Sequence, residues 1–479
     1  MKKTLSLYNT VVRLSWIAYL IPFFLLLSGC TASYPINPPL ERNVVESGYD
    51  PRNILTKRVN NNDEVLLILS FSGGGTRAAA FSYGVLQELS RTYLPWRGQK
   101  LHMSDEVDMI SSVSGGSFTA AYFGLFGDRI FEDFESRFLR RDLQGELTGK
   151  ILLSPTDWAR MTSSNYGRSD LATELYDETI FDRRTFADLA KAGGPLIVIN
   201  ATEMTLGIRF QFTQSYFNII CADLSKLPVA RAVTASSAVP VLLSPVTLVN
   251  RAGTCGWQRP RWMEEALAST ERTSRLYNLA TNMDALSNSE ERPYIHLLDG
   301  GLSDNLGLRN VLDGVLQYNE FKEALQELGL GNTRKIIVLL VNAETALDVE
   351  SSRRQQIPTF SSVLNAATSV PLQRYSFETV ALLKSRLKEW EEQSRESECV
   401  QERSTAQGKS TQPGEDVCKG ITFDFIEINF SEHPDPEERQ YLKTLPTSFT
   451  LPDEAIDKLI AAGGLILRRN TVIQQLLSE

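Results

Sequence analysis

The stretch VDMISSVSGGSFTAAYFG, Val107–Gly124, decides the fold. An apolar run ends at Ser112-Val113-Ser114-Gly115-Gly116, and helix-forming and aromatic residues follow. Strand, tight turn and helix in that order thrust a serine hydroxyl out above a sheet, so Ser114 is a candidate nucleophile. The glycines after it permit a sharp turn and leave room for a substrate to approach the backbone. Small residues at a strand–helix junction are also common in any α/β protein. The reading therefore depends on what the rest of the chain supplies.

Upstream, Val65–Phe71 (VLLILSF) is a continuous apolar run of the kind that forms a strand buried on both faces. It breaks at Ser72-Gly73-Gly74-Gly75-Thr76-Arg77, and Ala78–Leu89 reads as a helix. Three residues without side chains leave their N–H groups uncovered at a helix N-terminus, where the dipole favours negative charge. Gly73, Gly74 and Gly75 are thus candidate donors to an oxyanion. The same text fits a G-x-G-x-x-A dinucleotide fingerprint. That pattern needs an acid about twenty residues on, at the end of a second strand. Thr92–Lys100 contains no acid and no convincing strand.

Downstream, Tyr294–Leu298 reads as a strand running into Asp299-Gly300-Gly301. Asp-Gly is a common turn dipeptide, but a carboxylate at a strand end is also placed to take a proton. The chain has only three histidines, His102, His296 and His433. Of these, His433 alone satisfies the Ser…Asp…His order of a hydrolase triad. It sits in Ser-Glu-His-Pro-Asp-Pro, text expected of an exposed loop, so Asp299 is preferred as the base.

SGGGTRA, S-V-S-G-G and L-D-G-G, in this order and spacing, resemble the patatin-like phospholipases and their eukaryotic cytosolic relatives. Thr185–Leu189, Asn200–Glu203 and Ala235–Pro240 fall where that family has similar text, and the resemblance spans roughly residues 64–345. It implies a Ser114–Asp299 dyad, an oxyanion loop at Gly73–Gly75, and Arg77 as a candidate phosphate contact. It also implies acyl-ester hydrolysis of phospholipids or lysophospholipids, with no metal or cofactor. The family's first glycine of G-x-S-x-G is Ser112 here, and its glycine after the arginine is Ala78. The rival reading is a catalytically silent lipoprotein that uses the fold as a binding or scaffolding module.

The fold class expected is an α/β three-layer sandwich with a central, largely parallel or mixed sheet. At 479 residues, 42% hydrophobic and 22% charged, the composition is that of a globular protein. Net charge is −9; residues 1–29 carry three basic residues and no acid, which leaves −12 on the rest. An acidic body argues against a nucleic-acid partner. The basic start, the apolar stretch Trp16–Leu27 and Leu27-Ser28-Gly29-Cys30 resemble a bacterial lipoprotein signal. That resemblance implies an exported protein acylated at Cys30, with Thr31 favouring the outer membrane. Residues 30–60 are expected as a tether and 61–350 as the catalytic domain, with 257–293 as a candidate lid or surface excursion. Residues 351–479 are expected as an extension packed on that domain. Cys221, Cys255, Cys399 and Cys418 allow three pairings in an oxidising compartment, and proximity favours 221–255 and 399–418.

Overall fold

The computed structural model describes residues 36–44, 48–58, 61–318, 320–345, 353, 355–405 and 420–478. The expected signal, Cys30 and Cys418 lie outside them. Eight strands form one mixed sheet in the order β10-β9-β1-β4-β5-β8-β7, with β6 added on β5. These are β1 (Val65–Phe71), β4 (Val107–Val113), β5 (Leu196–Glu203), β6 (Ile208–Gln211), β7 (Val246–Val249), β8 (Tyr294–Leu298), β9 (Lys335–Asn342) and β10 (Thr422–Asn429). The five from β10 to β5 run parallel; β6, β7 and β8 pair antiparallel. The expected sandwich is what the chain forms.

Every residue of β1 and β9 is buried, because helices cover both faces of the sheet. Leu67, Leu69 and Phe71 point into one core, while Leu66 and Ile68 point into the other. On the first face lie α1 (Gly75–Leu89) and α2 (Gly115–Phe126). Between β6 and β8 come α3 (Val229–Ser236), α4 (Arg261–Ala268) and α5 (Arg275–Leu286). The second face is covered by parts of α7 (Arg309–Leu316), α8 (Phe321–Glu327) and α9 (Phe360–Thr405), reached through the one-turn α6 (Gly301–Asp304). Finally α10 (Asp453–Arg469) returns to the first face and packs on α1. A Cβ on Gly84 would lie 2.2 Å from the Ile460 carbonyl oxygen, so glycine is what lets these two helices approach so closely. Phe134 and Phe138, at helical spacing, are fully buried, and Phe138 stacks on Phe118 at 4.2 Å. Each such ring contributes about 1.5–3 kcal/mol by leaving water.

Three expectations need correction. Thr92–Lys100 does contain a strand: β2 (Tyr93–Trp96) and β3 (Gln99–His102) form an antiparallel hairpin apart from the main sheet. Only Leu94 and Leu101 of its residues are buried, so no apolar run announced it. Much of the 30–60 segment is not a free tether. Asn37 and Tyr49 are buried, and the Tyr49 hydroxyl bonds the Ile197 amide and carbonyl of β5. Nor are residues 351–479 only an extension packed on a domain that ends at 350. Residues 422–429 supply β10, paired along the whole of β9, which makes the C-terminal third part of the sheet itself.

Segment 257–293 forms α4 and α5, whose Met263, Ala266, Ala280 and Leu286 are buried in the body. Cys221 and Cys255 form a disulfide, the pairing that proximity favoured. Among the described residues no helix is long and apolar enough to cross a membrane.

Candidate active site

Ser114 stands between the end of β4 and the start of α2, at φ 48° and ψ −120°. A non-glycine residue held there costs about 1–3 kcal/mol, and surrounding contacts must impose it. They do. The Ser114 amide donates to Ser236 Oγ at 2.8 Å, and Ser236 Oγ donates to the Asn200 carbonyl at 2.6 Å. A Cβ on Gly115 would lie 2.0 Å from the Gly75 carbonyl oxygen, and one on Gly116 would lie 2.7 Å from that of Ser72. The nucleophile turn and the glycine loop are therefore pressed backbone to backbone. Ser112, the departure from glycine, is accommodated because its hydroxyl bonds the Val198 carbonyl and Ser117 Oγ.

Asp299 follows β8, the antiparallel neighbour of β5, which carries its carboxylate across to the end of β4. Ser114 Oγ donates to Asp299 Oδ2 at 2.9 Å, and the Gly301 amide donates to Oδ1 at 2.8 Å. Both residues are buried. Burial pushes the Asp299 carboxyl up to about 6, against the pull of its bonds from Gly301 and Ser114. The backbone of Asp299 is fixed as well. Its amide donates to the Ala238 carbonyl at 3.0 Å, and its own carbonyl accepts from Thr202 Oγ1 at 2.8 Å.

The three histidines are occupied elsewhere. His102 contacts the Ser90 carbonyl and Ser104, His296 contacts Thr247, and His433 contacts the Asp435 carbonyl. His433 is buried, not exposed as its turn-rich text suggested, because Phe430 anchors that turn in the core.

The glycine loop divides its labour. The Gly73 amide donates to the Asn305 carbonyl at 3.0 Å, so of the three expected donors it is already engaged. Gly74 (φ 143°) and Gly75 (φ 61°) open the first turn of α1, where N–H groups have no partner inside a helix. Next to them the Thr76 amide donates to the Ser448 carbonyl at 2.8 Å. Arg77, expected as a phosphate contact, is 3% exposed and bonds the Ala343 and Leu445 carbonyls and Thr447 Oγ1. It is a clamp between α1 and the C-terminal segment, and its burial lowers its own proton affinity to about 10.

Sequence reasoning did not assign Ser236, Asn200, Thr202 or Gly301, which hold the pair in place, or Asn305, which takes the Gly73 amide. The signal was present in Asn200–Glu203 and Ala235–Pro240, but no spacing rule says which strand they will abut.

The family model described as Patatin-like phospholipase matches residues 69–312, just over half of the chain. The chain belongs to this family, and membership supports lipid acyl hydrolase activity. Among solved structures, human GIVD cytosolic phospholipase A2 is similar at 11% identity and TM-score 0.44, covering 91% of this chain and 67% of that one. The same human enzyme in complex with methyl gamma-linolenyl fluorophosphonate gives 10% identity and TM-score 0.39, covering 89% and 62%. Comparison with curated proteins finds no match.

Proposed function

We propose that this protein is an exported, lipid-anchored serine acyl hydrolase that cleaves fatty-acyl esters of phospholipids or lysophospholipids. The observation that carries the reading is the 2.9 Å bond from the buried Ser114 hydroxyl to the buried Asp299 carboxylate. Asp299 accepts the serine proton as Oγ attacks the ester carbonyl carbon. A carboxylate raised to about 6 is a better base than an ordinary one, yet it remains ionised at neutral pH. The oxyanion is held by the amides of Gly74 and Gly75 at the N-terminus of α1; one such donor is worth about 2.7–4 kcal/mol. The ester C–O bond then breaks, and the leaving alcohol takes the proton from Asp299. Water, deprotonated by Asp299, attacks the acyl-enzyme; the fatty acid leaves and Ser114 regains its proton.

A lipid substrate fits the surroundings. Leu302, in the turn after Asp299, and Val241 and Leu242, just past the loop that holds it, are exposed apolar residues. Leu372 of α9 lies 3.5 Å from where a Cβ on Gly301 would sit. Acylation at Cys30 would keep the body near lipid and raise the local substrate concentration.

The test is intact-mass analysis of the protein from residue 31 onward after exposure to a fluorophosphonate. One adduct is expected, absent in Ser114→Ala. A folded protein that takes no adduct, with or without detergent micelles, would favour the silent module.

A further inference from the structure

Two cavities away from the dyad share a wall. The first, about 330 Å³, is an apolar chamber on the second face of the sheet, bounded by Ile68, Val338, Met109, Phe321 and Trp390. At its far end Arg52 pairs with Glu327. The second, about 490 Å³, is lined by Arg209, Arg272, Arg275 and Arg309, with Asp313 the one lining acid among the described residues. Arg209, Tyr216, Leu279, Met283 and Asp313 line both, so the chamber and the cationic mouth adjoin.

The fold neutralises these arginines only in part. Arg209 and Arg275 share one carboxylate, Asp313, at 2.8 and 2.9 Å. Arg309 lies over the Tyr375 ring at 3.8 Å, a contact that leaves its guanidinium charge intact. Asp304, the other nearby acid, is buried, accepts the Arg309 backbone amide and attracts both Arg209 and Arg309, so two carboxylates face four guanidinium groups. Arg209 is 8% exposed, and its Nε, like that of Arg309, is buried without a hydrogen-bond acceptor. A surplus of positive charge with unmet donors asks for an anion. The adjoining chamber asks for a chain, and its size is at the small end of ligand cavities, which suits one chain and not two.

We propose that the two cavities form one non-catalytic site for a single-chain anionic amphiphile. The alkyl chain occupies the chamber, and the anionic head meets Arg275, Arg309 and the rim residue Arg272. Such a molecule has two sources here, a free fatty acid or a lysophospholipid with an anionic head. The site does not depend on Ser114 chemistry, so its failure leaves the hydrolase reading untouched.

The experiment is a fluorescence titration of the Ser114→Ala protein, which cannot turn over, with cis-parinaric acid. Saturable binding is expected, displaced by oleate or by oleoyl lysophosphatidate; whichever displaces better identifies the source. Oleyl alcohol and inorganic phosphate should not displace it. The pair Arg275→Gln and Arg309→Gln should weaken binding at least tenfold, and Met109→Trp should block the chamber. Fluorophosphonate labelling of the same variants with Ser114 restored reports that they fold. Unchanged affinity in both the arginine pair and Met109→Trp, or displacement by oleyl alcohol as strong as by oleate, would overturn the proposal.

Discussion

Replacing the base should make the protein more stable while silencing it. In Asp299→Asn the side-chain oxygen still accepts the Gly301 amide, but the group facing Ser114 Oγ now donates and has no proton affinity. Burial has raised the Asp299 carboxyl to about 6, above its unfolded value near ~3.9. The folded state thus holds that proton more tightly than the unfolded chain does. Stability from this group is fully present below pH ~4 and is lost as pH rises through 6, by about 3 kcal/mol in all. Asparagine carries no such charge. At pH 8 the variant should gain up to about 3 kcal/mol over the parent, and near pH 4 the gain should vanish. Urea unfolding at both pH values measures it. In parallel, the rate of fluorophosphonate labelling should fall about 10²–10⁴-fold, the usual contribution of a general base. A variant no more stable than the parent at pH 8, or one whose advantage grows towards acid, would rule out a carboxylate at Asp299 that burial destabilises.

Other consequences can be measured on the same preparation. The labelling rate should drop about tenfold per pH unit below pH 6, where Asp299 is protonated, and level off above it; a pH-flat profile counts against Asp299. Gly116→Ala places a methyl group 2.7 Å from the Ser72 oxygen, and should abolish labelling and cost about 1–3 kcal/mol in denaturant titration. Arg77→Gln should cost at least about 3 kcal/mol of stability through lost bonds to Ala343, Leu445 and Thr447. At matched fold its KM for phospholipid and for a neutral ester should move together, whereas a phosphate contact would raise only the first.

Local text made the centre of the fold legible. Val65–Phe71 is buried from end to end, and such a run admits few readings. The Ser114 turn and Asp299 were legible for a related reason: chemistry needs particular residue types at strand ends. What escaped depended on distant partners. β7 is four residues long and takes its place only by pairing with β8. The mixed-charge text of Lys384–Glu398 belongs to a 46-residue helix that also runs through Pro371. Gly73 looked equivalent to its two neighbours until Asn305 arrived from 232 positions away to take its amide. Arg77 at a glycine-rich turn invites an anion, and only the fold reveals that three distant acceptors, one just after β9 and two near the far end of the chain, already hold it.

That clamp sets an order in time. The turn that offers Gly74 and Gly75 is braced by the Ser448 carbonyl on Thr76 and by Leu445 and Thr447 on Arg77. A ribosome that has finished the serine and the aspartate still has some 150 residues to add before these braces exist. A nascent chain, or one cut short, would carry both reacting groups without the turn that steadies the charge they create. On the proposed reading, docking of Leu445–Ser448 acts as a safety catch, since the two reacting side chains gain their oxyanion turn only once that segment is in place.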